Sequence, residues 1–163
     1  MPATYEPIAT TTLGSASATI TFSSIASSWT DLRAVLVGTA DGVTVSLRFN
    51  SDTTSVYSYT RIKGDGSTAS SSRFSNDNRL LLTSGTGLSS TIQLFTADIF
   101  SYAGSTFKTA LGTASQDENG TGDVVRTVGL WRNTSAITSV SLVAGAGSFN
   151  AGTTATLYGI KNA

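Results

Sequence analysis

Apolar and polar residues alternate with a period of two along most of this chain, and nowhere does the 3.6-residue period of a helix persist. In residues 124–161, Val124, Val128 and Leu130 are set against Arg126 and Arg132, and Val140 and Leu142 against Ser139 and Ser141. The segment reads as a β meander, with turns at Asn133 to Ser135 and at the glycine-studded residues 144–152, where positive φ carries no steric penalty. It closes on TTATLYGIK, rich in strand formers, so a final strand is expected to lock the domain shut.

The rest of the chain follows suit. Residues 5–13 form an extended arm or a first strand, held out of helix by Pro7 and three successive threonines. Ala18, Ile20 and Phe22 make one face of a half-buried strand. Residues 25–31 hold the one place for a helical turn, with Trp29 placed to plug an end of the core. Residues 32–39 are apolar on both faces, as in a central strand, and the Asp41-Gly42 turn signal pairs them with residues 43–50 in a hairpin. Residues 56–63 put Tyr57, Tyr59 and Arg61 opposite Val56, Ser58 and Ile62. Residues 64–78, with hardly an apolar group, read as a long exposed loop in which Asp65, Ser70, Arg73, Asn76 and Asp77 are candidates for outer-face binding. Strands at 79–83 and 91–99 flank a turn at 84–90, and residues 100–105 turn the chain again. A strand at 106–115 sets Phe107 and Leu111 against Lys108, Ala110 and Gly112, and a second polar loop follows at 116–123. About ten strands at this spacing predict an all-β, single-domain antiparallel β-sandwich, jelly-roll-like, with no substantial helix. Residues 1–12 are the arm or first strand and residues 13–163 the sandwich.

Composition narrows the function. Ser and Thr make up roughly a third of the 163 residues, and charged residues are 12%, half the usual ~25%. Ten basic and ten acidic residues cancel, which gives no electrostatic case for a nucleic-acid or membrane partner. Cysteine and histidine are both absent, which removes disulfides, most zinc sites and every nucleophile that depends on histidine. The expectation is a non-enzymatic protein without a cofactor. The first residues show no signal-peptide pattern and no apolar run is long enough to span a membrane, which leads us to expect a soluble cytoplasmic product.

Three sets of residues carry candidate chemistry. Asp117, Asn119 and Asp123 fall, with Thr121, at every second position of a polar loop with Gly122 at the sixth, like the start of a calcium loop, but the twelfth position is Val128, so a solvated hairpin turn is the simpler expectation. Tyr57, Tyr59, Trp29 and Trp131 could form an aromatic platform for sugar rings, although aromatics of a sandwich more often belong to the core. Asp65, Asp77 and Asp98 would need tertiary structure to form a hydrolytic carboxylate pair.

Certain longer stretches resemble a known family. Gly129 to Arg132, Ala136 to Leu142, Phe149 and Gly152 to Lys161, together with Trp29 to Leu32, Leu47 to Asn50 and Tyr57 to Arg61, are similar to small bacteriophage virion proteins, especially from phages of cyanobacteria and marine bacteria. The resemblance implies a jelly roll on the outside of a virion, assembled in the bacterial cytoplasm: a homotrimeric capsid decoration, or cement, protein bound to the major capsid protein. The alternative it allows is a trimeric tail, fibre or tail-tip protein that binds host surface glycans. Under the first reading Pro2, Thr4, Tyr5, Glu6, Pro7 and Ile8 are candidates for a capsid or subunit interface, as an arm laid on a neighbour.

Overall fold

The computed structural model describes residues 4–40, 44–83 and 91–161. Among them are twelve strands and no helix: β1 (Tyr5–Thr12), β2 (Thr19–Phe22), β3 (Asp31–Gly38), β4 (Val45–Phe49), β5 (Tyr57–Gly64), β6 (Ala69–Asp77), β7 (Leu80–Leu81), β8 (Gln93–Phe100), β9 (Lys108–Asp117), β10 (Gly122–Trp131), β11 (Val140–Ala144) and β12 (Thr154–Ile160). They form two antiparallel sheets, one of eight strands in the order β1-β12-β3-β8-β9-β10-β5-β6 and one of four in the order β2-β11-β4-β7.

Setting aside the paired strands β5–β6 and β9–β10 leaves β1-β12-β3-β8 facing β2-β11-β4-β7, the eight-stranded double Greek key of a jelly roll. The expected all-β sandwich is what the chain forms. Its connectivity differs from the sequence reading in three places. Residues 32–50 are no hairpin: β3 pairs with β12 and β8 in the large sheet, whereas β4 pairs with β11 and β7 in the small one. The Asp41-Gly42 turn lies outside the described residues, as does the turn at 84–90. Residues 124–161 are no meander, because β11 leaves the large sheet to which β10 and β12 belong. Period two marks a strand but not its sheet, and in a jelly roll successive strands change sheets. The third difference concerns residues 64–78. Most of this polar stretch is β6, which pairs along β5 and closes through a tight turn where the Asp65 amide donates to the Thr68 carbonyl at 3.2 Å. β6 is exposed on both faces, so no apolar alternation was available to reveal it.

The core lies between the sheets. Leu32, Leu36, Phe95, Ile99 and Leu157 from the large sheet meet Ile20, Phe22, Val45, Leu47, Val140 and Leu142 from the small one. The added hairpins extend the large sheet beyond the small one, and one aromatic cluster ties them in. Phe49 of β4 meets the Trp131 ring of β10 edge-on at 5.7 Å, and Tyr57 of β5 lies 6.4 Å from Trp131 at 23°. The polar atoms of the cluster are satisfied: the Phe49 amide donates to the Tyr57 hydroxyl at 3.0 Å, and Trp131 Nε1 donates to Asp52 Oδ2 at 3.0 Å.

On β9 the face that points inward is the small one. Ala110, Gly112 and Ala114 are inside with fully buried Lys108, while Phe107 is 51% exposed. Leu80 and Leu82 press onto this part of the sheet and need the room: a Cβ at Gly112 would lie 2.5 Å from Leu82 Cδ2, and one at Gly129 only 2.0 Å from Leu80 Cδ1. Lys108 keeps its hydrogen bonds by donating from Nζ to the Thr106 carbonyl and, at 3.4 Å, to the Thr134 carbonyl. Residues 25–30 contain a turn but no helix, and Trp29 packs half-buried over Gly159 with Lys161 Nζ 4.7 Å above its ring.

Gly129→Ala is therefore expected to destabilise the fold by about 1–3 kcal/mol, because buried Leu80 has no free space to retreat into. Urea unfolding followed by tryptophan fluorescence measures the loss, and an unchanged midpoint would refute this account of the packing.

Candidate interaction surface

Every strand of the large sheet sends alternate residues away from the small sheet, and the register lines them up in rows. Val37, Leu94, Ser115 and Val124 are consecutive neighbours across β3, β8, β9 and β10. The next row runs Val35, Thr96, Thr113, Arg126, Ile62 and Ser71, and the one after it Arg33, Asp98, Leu111, Val128, Thr60 and Arg73. Val124 and Ile62 are 59% and 60% exposed, and Val37, Leu94 and Val128 are also solvent-facing. Among the described residues nothing covers this face.

The face alternates aliphatic side chains with short hydroxyls. Thr10 and Thr156 share a hydrogen bond at 3.0 Å and Thr12 and Thr154 one at 2.9 Å, so hydroxyl pairs continue the pattern onto β1. Its charges are few: Arg33 Nε lies 3.6 Å from Asp98 Oδ1 and Arg73 Nε donates to Thr60 Oγ1 at 3.1 Å, while Arg126 stands exposed between Val124 and Val128. Where β5 and β6 meet β10, Ile62, Ala69, Ser71, Val124 and Arg126 line a shallow, mainly apolar groove. Such a surface suits packing against another protein surface, since little ionic desolvation opposes it.

The parity of this face differs from the alternation expected of residues 124–132. Val124, Arg126, Val128 and Leu130 are two apart and share one side of β10, and that side points outward while Val125, Thr127, Gly129 and Trp131 point in. Three aliphatic residues interrupted by an arginine were the available signal.

The structure distributes the residues singled out from the sequence as follows. Pro2 lies outside the described residues. Thr4 accepts a hydrogen bond from the Lys161 amide at 3.0 Å, Tyr5 stacks on Tyr158 with ring centroids 4.6 Å apart, Glu6 and Pro7 are in register with Gly159 and Tyr158, and Ile8 packs against the core. Residues 5–12 are therefore a first strand of the sheet, the second of the two forms expected, and deleting residues 2–7 would test folding as well as attachment. Asp65 organises the β5–β6 turn: amides and hydroxyls of Thr68 and Ser67 donate to it and hold its carboxyl well below the usual carboxylate range. Ser70, Arg73, Asn76 and Asp77 all belong to β6. Asn76, at φ 59°, accepts from Arg132 Nη2 at 2.7 Å, and Asp77 accepts from the Tyr59 hydroxyl at 3.0 Å.

The calcium candidates do not converge. Asp117 ends β9 on the outer side and accepts from the Asn119 amide at 2.9 Å, while Asp123 faces inward and pairs with Lys63 Nζ at 3.2 Å. The polar loop that held them is a tight hairpin turn, in which the Glu118 amide donates to the Thr121 carbonyl at 2.7 Å. The proposed aromatic platform is dismantled by burial, since Tyr57, Tyr59 and Trp131 are core residues and Trp29 lies half-buried elsewhere. Asp65 and Asp77 sit at opposite ends of β6 and Asp98 is engaged by Arg33, so no carboxylate pair forms among these three.

No protein-family model matches the sequence, and no curated protein does so either. Among solved structures, the exo-inulinase from Aspergillus awamori is similar over 96% of this chain and 29% of that one, at 14% identity and a TM-score of 0.46. The chain thus spans less than a third of that protein's length, and a likeness of this degree says nothing about activity.

Two solution properties follow from these environments. Burial pushes the Tyr57 and Tyr59 hydroxyls up to about 12 from 10.0, so the folded chain keeps protons that the unfolded chain releases. That contribution is intact below pH 10 and lost as pH rises through about 12, and with no histidine to titrate, stability should be level near neutrality and fall steeply above pH 10. A melting series across that range checks the trend, and a melting temperature unchanged up to pH 12 would contradict it. Millimolar calcium should leave the melting temperature unchanged, and a rise of several degrees would restore a metal site at the β9–β10 turn.

Proposed function

We propose that this chain is a non-enzymatic structural subunit of a phage particle, a decoration protein that fastens by the outer face of its large sheet to a shell built from the major capsid protein. The observation that carries the reading is the uncovered face itself, where Val37, Ile62, Leu94, Val124 and Val128 stand exposed on one continuous surface. Eight strands spaced ~4.8 Å apart, each contributing about 25 Å of length, give a face of roughly 900 Å², close to one partner's share of a standard protein interface. Exposed aliphatic side chains gathered on one face are a mark of interaction sites. The identity of the partner comes from the resemblance of residues 129–132, 136–142 and 152–161 to phage virion proteins. A tail-tip subunit that binds glycans is less well supported, because Tyr57, Tyr59 and Trp131 are buried and Trp29 lies half-buried apart from them.

The double variant Val124→Asp, Val128→Asp tests the face. Both residues are exposed, so stability should stay within about 1 kcal/mol of the parent. Co-sedimentation with undecorated shells should fall at least about tenfold, the equivalent of ~1.4 kcal/mol. Binding equal to that of the parent chain would overturn the proposed docking face.

A further inference from the structure

The two sheets have four edges, and among the described residues three of them are blunted. β2 is four residues long and β7 two, too short to template much pairing. β1 is longer, but its register slips between Pro7 and Ala9. The alternation set by the Leu13 amide donating to the Thr153 carbonyl, and by the Lys161 amide donating to the Thr4 carbonyl, places Pro7 where an amide would otherwise point outward. The fourth edge, β6, has nine residues, contains neither Pro nor Lys, and is exposed on both faces.

The hydrogen bonds show which of its amides are free of β5. Bonded and non-bonded pairs alternate along an antiparallel ladder. Starting from the Asp65 amide to Thr68 carbonyl bond, Ser70, Ser72 and Phe74 fall in bonded pairs with β5, and Ala69, Ser71 and Arg73 turn their amides and carbonyls away from it. The Arg132 amide to Val56 carbonyl bond on the other side of β5 leads to the same assignment. A register irregularity near Asn76, with positive φ there, ends the regular run at Phe74.

We infer that β6 is a self-pairing edge, and that two copies of this chain join by antiparallel pairing of β6 with β6 of the second copy about a two-fold axis. A second copy fits because the chemistry is self-complementary. Serines at 70, 71, 72 and 75 are donors and acceptors at once, and the chain already pairs hydroxyls across strands at Thr10–Thr156, Thr12–Thr154 and Thr21–Ser141. Arg73, drawn back to Thr60, is the one cation on β6, and any register not centred on residue 73 keeps the two copies of it apart. A three-fold assembly through this edge would need β6 to meet a different strand, and the long alternative, β1, is guarded by Pro7. The pairing is a property of the free chain and does not depend on what the outer face docks onto.

Sedimentation equilibrium of the full chain should give the mass of two 16.7 kDa chains. Ser71→Pro removes an outward amide that β5 does not use, and Ser71→Lys places a charge at the middle of the outward-facing run from Ala69 to Arg73; each should weaken dimerisation at least about tenfold, with Thr10→Pro on the opposite edge as an unaffected control. Should Ser71→Pro fail to fold by circular dichroism, Ser71→Lys decides. In the dimer, the Ser71 and Arg73 amides should exchange slowly with deuterated solvent, and dilution to monomer should make them fast. A monomeric parent chain, a three-copy mass, a dimer indifferent to Ser71→Lys, or fast exchange of those amides in the dimer would each overturn the inference.

Discussion

The structure depends on an inequality: a sheet of eight strands is covered by a sheet of four. Two facing sheets share a core only where both are present. Past the edge of the small sheet, the chain seals the inner face by other means. Leu80 and Leu82 reach over the glycines of β9 and β10, and the Phe49, Tyr57 and Trp131 rings fill the corner where the hairpins depart. Lys108 lies inside, its amine bonded to two carbonyls, and burial lowers its pKa because the charged form is the one penalised. β6, farthest out, retains neither a covering layer nor a second strand among the described residues.

How legible this was in the sequence depends on the distance of each contact. Strands with one buried face, such as 19–22, 93–100 and 154–160, could be read from alternation because burial of that face is what the pattern records. The sheet to which each strand belongs is decided by pairing partners as distant in sequence as Tyr5 and Ile160, and local periodicity carries no trace of that choice. β6 was hidden because its order comes from hydrogen bonds to β5 rather than from apolar burial, and serine-rich composition without alternation resembles a loop. The interaction face escapes the reading because Val124, Val128 and Leu130 have the apolar character of a core face, yet they share parity with Arg126 and point outward.

Surface chemistry follows the same division of labour. With 12% charged residues and a third hydroxyls, the outer face of the large sheet resembles the seam between its own strands more than it resembles a solvated shell. Aliphatics set among hydroxyls permit close approach with few ions to desolvate: Arg33, Arg73 and Arg132 are tethered to Asp98, to Thr60 and to the carbonyls of Ser55 and Val56, which leaves Arg126 as the exposed cation at the centre of the face.

The two hairpins that widen the large sheet enter between strands of the jelly roll and return to it, so neither interrupts the order of the eight strands that define it. Width and fold are thereby separate variables. Adding or removing β5–β6 or β9–β10 would change the footprint of the subunit in steps of two strands, about 10 Å each, and leave the strand order of the scaffold intact, the cost falling on the seal that Leu80, Leu82 and Phe49 make with the hairpins. On this view the hairpins are a gauge by which one inherited frame can be fitted to neighbours of different spacing.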